Sequence, residues 1–272
     1  MLATTRVLSD KQLEAFKRDG FVIVKGLYTP EQVAEIRDTF AQASELGPVE
    51  GLWEPKKDTG DALDRFPRMM HPHKQSQLPI GPLSMRTALD PQVGAILNEL
   101  IGEEALLAQT MFYFKPAGTR GQSLHQDNYY LRVKPGTCVA AWLAVDKCDR
   151  ENGALTVVPG TQDLEIACPQ KADLTIFWSS DHVQPPPGST EFLCEMEAGD
   201  MLFFNGSIIH GSYPNISKDR FRRCFISHYV PACSVEVSEW YRPLHRFDGS
   251  KVEMAGATGG GPCGGAEAKG PH

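Results

Sequence analysis

No apolar run in the chain approaches the ~18 residues that a membrane-spanning helix needs. None of the seven cysteines stands in a CxxC pair, which argues against a zinc ribbon or a redox dithiol. Positive charge is not in excess: 27 Lys and Arg against 34 Asp and Glu give a formal charge of −7. That balance disfavours a nucleic-acid partner, which needs a basic surface. The opening stretch MLATTRVLSDKQLEAF lacks the apolar core of a secretory signal. The chain has no internal repeat, and GGGPCGG around Cys263 lacks the Lys-Ser/Thr that completes a phosphate loop. These absences lead us to expect a cytoplasmic protein with no membrane span, whose thiols are reduced and partly buried.

What remains is an ordinary globular composition, 41% hydrophobic and 22% charged over 272 residues. That length is compatible with one mainly β domain. Ser9 can cap a helix running to Asp19, with Leu13 and Phe16 on one face and Gly20 as its stop. FVIVKGLY (21–28) reads as a strand. Pro30 opens a second helix with Val33, Ile36 and Phe40 as its apolar stripe, and Asp90 caps a third that ends at Gly102. Residues 48–82, rich in Pro, Gly, Lys and Asp, read as a long loop with short helical pieces at most. From Ala105 onward short strands follow one another: 105–114, 137–145, 153–160, 192–197, 200–206 and 223–230. Turn signals such as Lys134-Pro135-Gly136 and Glu151-Asn152-Gly153 separate them. A helical lead-in (1–104) followed by a run of strands (105–231) predicts a jelly roll with helices packed on one side. An extension over 232–272 closes the chain, with a flexible Gly-rich tail from about 256. The connection 161–191 is long, carries Phe177, Trp178 and three consecutive prolines, and fits a lid over a binding site.

The chemistry concentrates in HQDNYY (125–130). In an extended strand His125 and Asp127 project to the same face, so an imidazole and a carboxylate converge. His210, in FNGSIIHGSYPN, offers a third donor. Two histidines and one carboxylate on one face, with other positions open, mark non-haem Fe(II) oxygenases. Downstream, Arg220, Arg222 and Arg223 supply guanidinium groups able to hold a carboxylate with two hydrogen bonds, and Ser212 stands two residues after His210.

HQD at 125–127, AAWLAV at 140–145, ENGALTVVPGT at 151–161, HGSYPN at 210–215 and FRRCFISHY at 221–229 occur in the order found in the phytanoyl-CoA dioxygenase family, which the chain resembles over about 105–231. The resemblance implies a double-stranded β-helix of the cupin kind and dependence on Fe(II), 2-oxoglutarate and O2. It implies hydroxylation of a C–H bond in a small organic substrate, with release of succinate and CO2. His125, Asp127 and His210 then hold iron, and Arg222 binds the far carboxylate of 2-oxoglutarate with help from Ser212. Trp142 and Met111 line the cosubstrate pocket. Arg68 or Lys74 would fill the place of a further basic residue that some relatives carry upstream. Halogenating relatives replace the carboxylate with a small residue, so Asp127 points to hydroxylation or desaturation. Neither 48–82 nor 161–191 holds an acyl-CoA recognition motif, so the family's name does not carry over as the substrate.

Tyr129, Trp178 and Arg68 are the candidate substrate contacts; Tyr129 shares the strand parity of Asp127. Arg220 and Arg223 read as surface or packing guanidiniums. His228 in the last strand reads as structural, and His71 and His73 in HPHK as loop polarity. Two alternatives stay open at this stage: a non-catalytic ligand- or metal-binding β-helix protein, and a cupin-type metalloenzyme that does not use 2-oxoglutarate.

Overall fold

Ser9 and Thr29 each begin a helix by a reciprocal cap: the hydroxyl accepts from the backbone N–H three residues on, while Gln12 or Gln32 reaches back to the cap's own N–H. In this computed structural model, which describes residues 7–52, 62–257 and 263, they open α1 (Asp10–Asp19) and α2 (Pro30–Ser44). Gly20, at φ 82°, stops α1 in the left-handed conformation and feeds β1 (Phe21–Val24). The stretch expected to be mostly loop holds more order: α3 (Ala62–Arg65), β2 (Arg68–Met70) and α4 (Ile80–Ala88). Pro79 and Pro82 hide that helix from a sequence reading, although it buries Ile80 and Leu83. Asp90 caps α5 (Pro91–Ile101), which ends at Gly102 as expected.

The strands follow as β3 (Ala105–Tyr113), β4 (Gln122–His125), β5 (Val139–Ala144), β6 (Leu155–Val157), β7 (Gln170–Lys171), β8 (Asp181–His182), β9 (Phe192–Leu193), β10 (Met201–Asn205), β11 (His210–Ser212) and β12 (Cys224–Pro231). A short helix, α6 (Asn128–Leu131), lies between β4 and β5. The last four, β13 (Glu236–Val237), β14 (Leu244–His245), β15 (Lys251–Val252) and β16 (Ala255–Gly256), give the C-terminal extension structure of its own. Beyond Ala257 only Cys263 is described, so the expected flexible tail lies outside the described residues. None of the helices among the described residues is long and apolar enough to cross a membrane.

Two sheets make a double-stranded β-helix. The larger runs β1-β10-β5-β12-β3-β14-β15, with β2 also on β3, and the smaller runs β4-β11-β6-β9. Alternation along the large sheet sorts its side chains. Phe112, Phe203 and Phe225 face the helices, where Phe40 stacks on Phe112 at 4.0 Å among Ile36, Ile96 and Leu97. Met111, Trp142, Phe204 and Ile226 face inward and meet Leu155 and Val157 of the small sheet. The candidate site lies between the sheets, on this second core.

Candidate active site

His125 ends β4 and His210 begins β11, and the two are direct partners in the antiparallel pairing of those strands. The ladder therefore places two imidazoles side by side, with ring centroids 4.2 Å apart. Each ring is oriented by its own strand: Nδ1 of His125 donates to the Ser123 carbonyl (2.7 Å), and Nδ1 of His210 to that of Ile208 (3.0 Å). With Nδ1–H committed, each Nε2 presents a lone pair. At His125 that lone pair accepts from the Gln122 side-chain amide at 3.1 Å.

Asp127 joins them by a different route from the one expected. The strand ends at His125, Asp127 has helical backbone angles (φ −61°, ψ −36°), and α6 begins at Asn128. A turn rather than strand parity carries the carboxylate inward. Its Oδ1 stands 3.5 Å from Nε2 of His125 and 3.4 Å from Nε2 of His210. Metal–donor bonds of ~2.0–2.2 Å set two donors roughly 3.0–3.5 Å apart. The three buried side chains are thus spaced to share one ion, and their donor chemistry, two imidazoles and a carboxylate, suits iron. Burial and the neighbouring His210 push the His125 pKa down, against the pull of Asp127, so burial favours the neutral ring that can act as a donor.

These three residues line one end of a cavity between the two sheets. Met111, Tyr113, Trp142, Leu155, Phe204 and Ile226 form its walls, and Ser212 and Arg222 also face it. Arg222 is 4% exposed; its Nε donates to the Gly153 carbonyl (3.2 Å) and its guanidinium lies 5.2 Å from the Trp142 ring centre. Among the described residues no acidic side chain pairs with it. Arg220 and Arg223 are occupied elsewhere, as the sequence suggested: each makes two hydrogen bonds to a carboxylate, of Asp149 and Asp146 respectively.

A residue that sequence reasoning passed over completes this end. Lys115, just past β3, is 4% exposed and donates to Ser212 Oγ at 2.8 Å and to the Tyr213 carbonyl. Burial, and then the Arg222 charge, hold its pKa well below the usual lysine value. Ser212 Oγ also accepts from the Gln122 backbone N–H at 3.3 Å. With two donors aimed at that oxygen, its own proton is left to donate to a third group. Gly153 is fixed here by geometry: at φ 72°, a Cβ would stand 2.5 Å from the Tyr213 carbonyl oxygen and 2.8 Å from Lys115 Cε.

A model of the phytanoyl-CoA dioxygenase family matches residues 16–224. The chain belongs to the phytanoyl-CoA dioxygenase family. As a member it is a non-haem iron dioxygenase dependent on 2-oxoglutarate. Phytanoyl-CoA dioxygenase 1 of Oryza sativa subsp. japonica is 23% identical over 239 residues, covering 77% of this chain and 85% of that protein. The peroxisomal phytanoyl-CoA dioxygenase of Bos taurus is 27% identical over 237 residues, covering 83% and 69%. Among solved structures, the epimerase SnoN in complex with Fe3+, alpha ketoglutarate and nogalamycin RO superposes with a TM-score of 0.66 at 21% identity, over 86% of each chain. That likeness establishes the shared fold.

The structure places the remaining candidates of this family member unevenly. Arg68 stacks on Trp178 at 3.6 Å and lies 5.8 Å from the ring of Tyr113, a wall residue, so loop 161–191 approaches the cavity through Arg68, although neither side chain lines it. The backbone N–H of Trp178 donates to the Gly121 carbonyl. Lys74 points elsewhere, toward the carbonyls of Trp240 and Arg242. Tyr129 is a correction: α6 replaces the expected strand, and its hydroxyl turns toward Cys263 Sγ (3.7 Å) rather than to the cavity wall. The thiols are a second correction, because Cys168 and Cys263 form a disulfide across 95 residues, while Cys138, Cys148, Cys194, Cys224 and Cys233 are free. No spacing motif announces a bridge that joins a loop to a tail.

His71 and His73 differ from the expected loop polarity. His71 and His73 are each 6% exposed, packed against Tyr241 and His245 at the open edge of β3 between β2 and β14. Thr110 receives both, accepting from the His71 N–H through its carbonyl and meeting His73 Nδ1 at 2.8 Å. Burial pushes their pKa values down to about 3 and about 2. His228 is buried in β12, in keeping with a structural role, and it also faces the cavity and contacts Asp127.

Proposed function

We propose that this enzyme couples oxidation of 2-oxoglutarate to hydroxylation of an unactivated C–H bond in a small organic substrate, releasing succinate and CO2. The observation that carries the reading is one cavity with two unlike ends: His125, Asp127 and His210 at one, and Arg222 with Ser212 at the other. The first end suits Fe(II), held on one face. The second suits a carboxylate, and Arg222 is a buried cation without an anion in the described protein, an expensive arrangement unless a ligand brings one. When bound, iron and 2-oxoglutarate supply the oxidising power with O2. The chain's residues do the rest. Arg222 and the Ser212 hydroxyl fix the distal carboxylate, while Trp142 and Met111 wall the space between the two ends. Apolar side chains exclude water.

Arg68 and Trp178 stack on each other beside Tyr113 of the cavity wall, and we assign them to recognition of the substrate. The Arg222–Ser212 carboxylate site favours this enzyme over a cupin that does not use 2-oxoglutarate and over a non-catalytic binder. The deciding experiment measures succinate release in the presence of iron and O2, with a panel of lipids, amines and natural products as stimulants. Release that requires iron, rises with one panel member and yields a product heavier by one oxygen atom supports the reading. With that compound, Trp178→Ala should lower stimulated release yet leave 2-oxoglutarate binding unchanged. Absence of iron-dependent succinate under every condition would reject it.

A further inference from the structure

Asp127 uses its two oxygens in different directions. Oδ1 faces Nε2 of His125 and His210, at 3.5 and 3.4 Å. Oδ2 meets Nε2 of His228 at 2.9 Å, with both side chains 1% exposed. An ionised carboxylate only accepts, so Nε2 of His228 carries the proton and donates. His228 cannot drift from this position. It sits in β12, which is paired on one side with β5 (His228 opposite Ala140) and on the other with β3 (opposite Gln109). The register with β3 shifts between His228 and Tyr229, an irregularity of the kind that re-aims a side chain beside a functional site.

We propose that His228 is a positioning residue that keeps Asp127 a one-oxygen donor. The inference rests on the assignment of Asp127 to the metal made above. Carboxylates bind cations through one oxygen or through two. The terminal torsion of an aspartate is broad, so an unrestrained group can turn to offer both. The second oxygen would take a position on the ion that 2-oxoglutarate must occupy through its keto-acid end. By holding Oδ2, His228 makes that turn cost a charge-assisted hydrogen bond. The same strand thus serves both ends of the cavity: Arg222, just before β12, addresses the distal carboxylate, and His228 within it secures the open metal positions. Metal affinity alone should depend little on His228, whereas cosubstrate chelation should depend on it strongly.

The test is an anaerobic titration, with no turnover. Fe(II) is titrated first, and 2-oxoglutarate is then added while the visible charge-transfer band of its iron chelate is followed. His228→Leu should bind Fe(II) as well as the parent or better, yet need about 10- to 100-fold more 2-oxoglutarate to develop the band. His228→Gln, which returns an N–H at similar reach, should recover most of the loss. Should the leucine variant fold poorly, His228→Gln is compared with His228→Asn, whose amide is too short to reach Oδ2. The proposal is overturned if the band develops at the same 2-oxoglutarate concentration in parent and leucine variant, or in the glutamine and asparagine variants. It is also overturned if Fe(II) affinity falls in step with cosubstrate affinity, since that is the mark of a general structural defect. A parent protein that binds no Fe(II), or that binds it and shows no band, would instead reject the assignment of the site itself.

Discussion

Lys115 Nζ donates to Ser212 Oγ at 2.8 Å inside a protein that offers neither Lys115 nor Arg222 an acidic partner among its described residues. A buried guanidinium and a buried amine at one end of a cavity form a place prepared for an anion. A carboxylate arriving beside them restores the balance that burial has upset. The direction of the Lys115 pKa, well down, reports how strongly burial, and then the Arg222 charge, disfavour its ammonium form.

Lys115→Met keeps the length of the side chain and removes its charge and donors. A hydrogen bond involving a charged group contributes about 1.5–3 kcal/mol, so 2-oxoglutarate affinity should fall by roughly 10- to 100-fold. Iron affinity should be unaffected. Isothermal titration with 2-oxoglutarate in the presence of metal checks this, and an unchanged affinity would confine Lys115 to a structural role.

Arg222 should matter more than its neighbours. Removing the partner of a buried charge costs about 3–5 kcal/mol, so Arg222→Ala should weaken 2-oxoglutarate binding by roughly two to three decades. Arg222→Lys should not restore it, because an ammonium lacks the planar fork. Arg220→Ala and Arg223→Ala break only part-exposed pairs with Asp149 and Asp146 and should leave cosubstrate affinity nearly as it was. A larger loss at either would move the carboxylate site.

His71 and His73 should steepen acid unfolding. Their pKa values are about 3 and about 2 in the fold, against about 6.5 in the unfolded chain. Between those limits the unfolded state binds the extra protons. Stability is therefore complete above pH ~6.5 and falls as pH drops, by up to roughly 1.4 kcal/mol per pH unit for each group. Urea unfolding from pH 7 to pH 4 should show a shallower pH slope in His71→Gln than in the parent, by close to one proton. Equal slopes would mean that His71 is protonated in the fold.

The Cys168–Cys263 bond ties loop 161–191 to the C-terminal tail. Alkylation of the denatured, unreduced protein should label the five free cysteines and no others, and prior reduction should add two. Mass spectrometry counts them directly. Seven labels without reductant would show the pair to be open in solution.

Much of this architecture could be read from residues whose signals are local. Capping residues at Ser9, Thr29 and Asp90, and glycine stops at Gly20 and Gly102, set three helices correctly. The sequence singles out the triad and Arg222 because their motifs keep family order along the chain, and the fold brings all four to one cavity. What escaped was set by tertiary contact. The helix Ile80–Ala88 carries a proline within and another at its cap, and it survives by burying Ile80 and Leu83. Asp127 reaches the site through a turn, which the parity argument could not anticipate, and the same turn misplaced Tyr129. Lys115 and His228 have no spacing to mark them. Their partners, Ser212 and Asp127, lie 97 and 101 residues away.

The central claim is that His125, Asp127 and His210 together hold one Fe(II) ion. Anaerobic equilibrium titration of Fe(II) into the parent and into His125→Ala, Asp127→Ala and His210→Ala tests it without any knowledge of the substrate. The account predicts one site per chain in the parent and a loss of more than about 100-fold in each variant, exceeding what residues around a metal's ligands typically contribute, with the circular dichroism of the fold retained. A variant that folds normally and binds Fe(II) as tightly as the parent would contradict it.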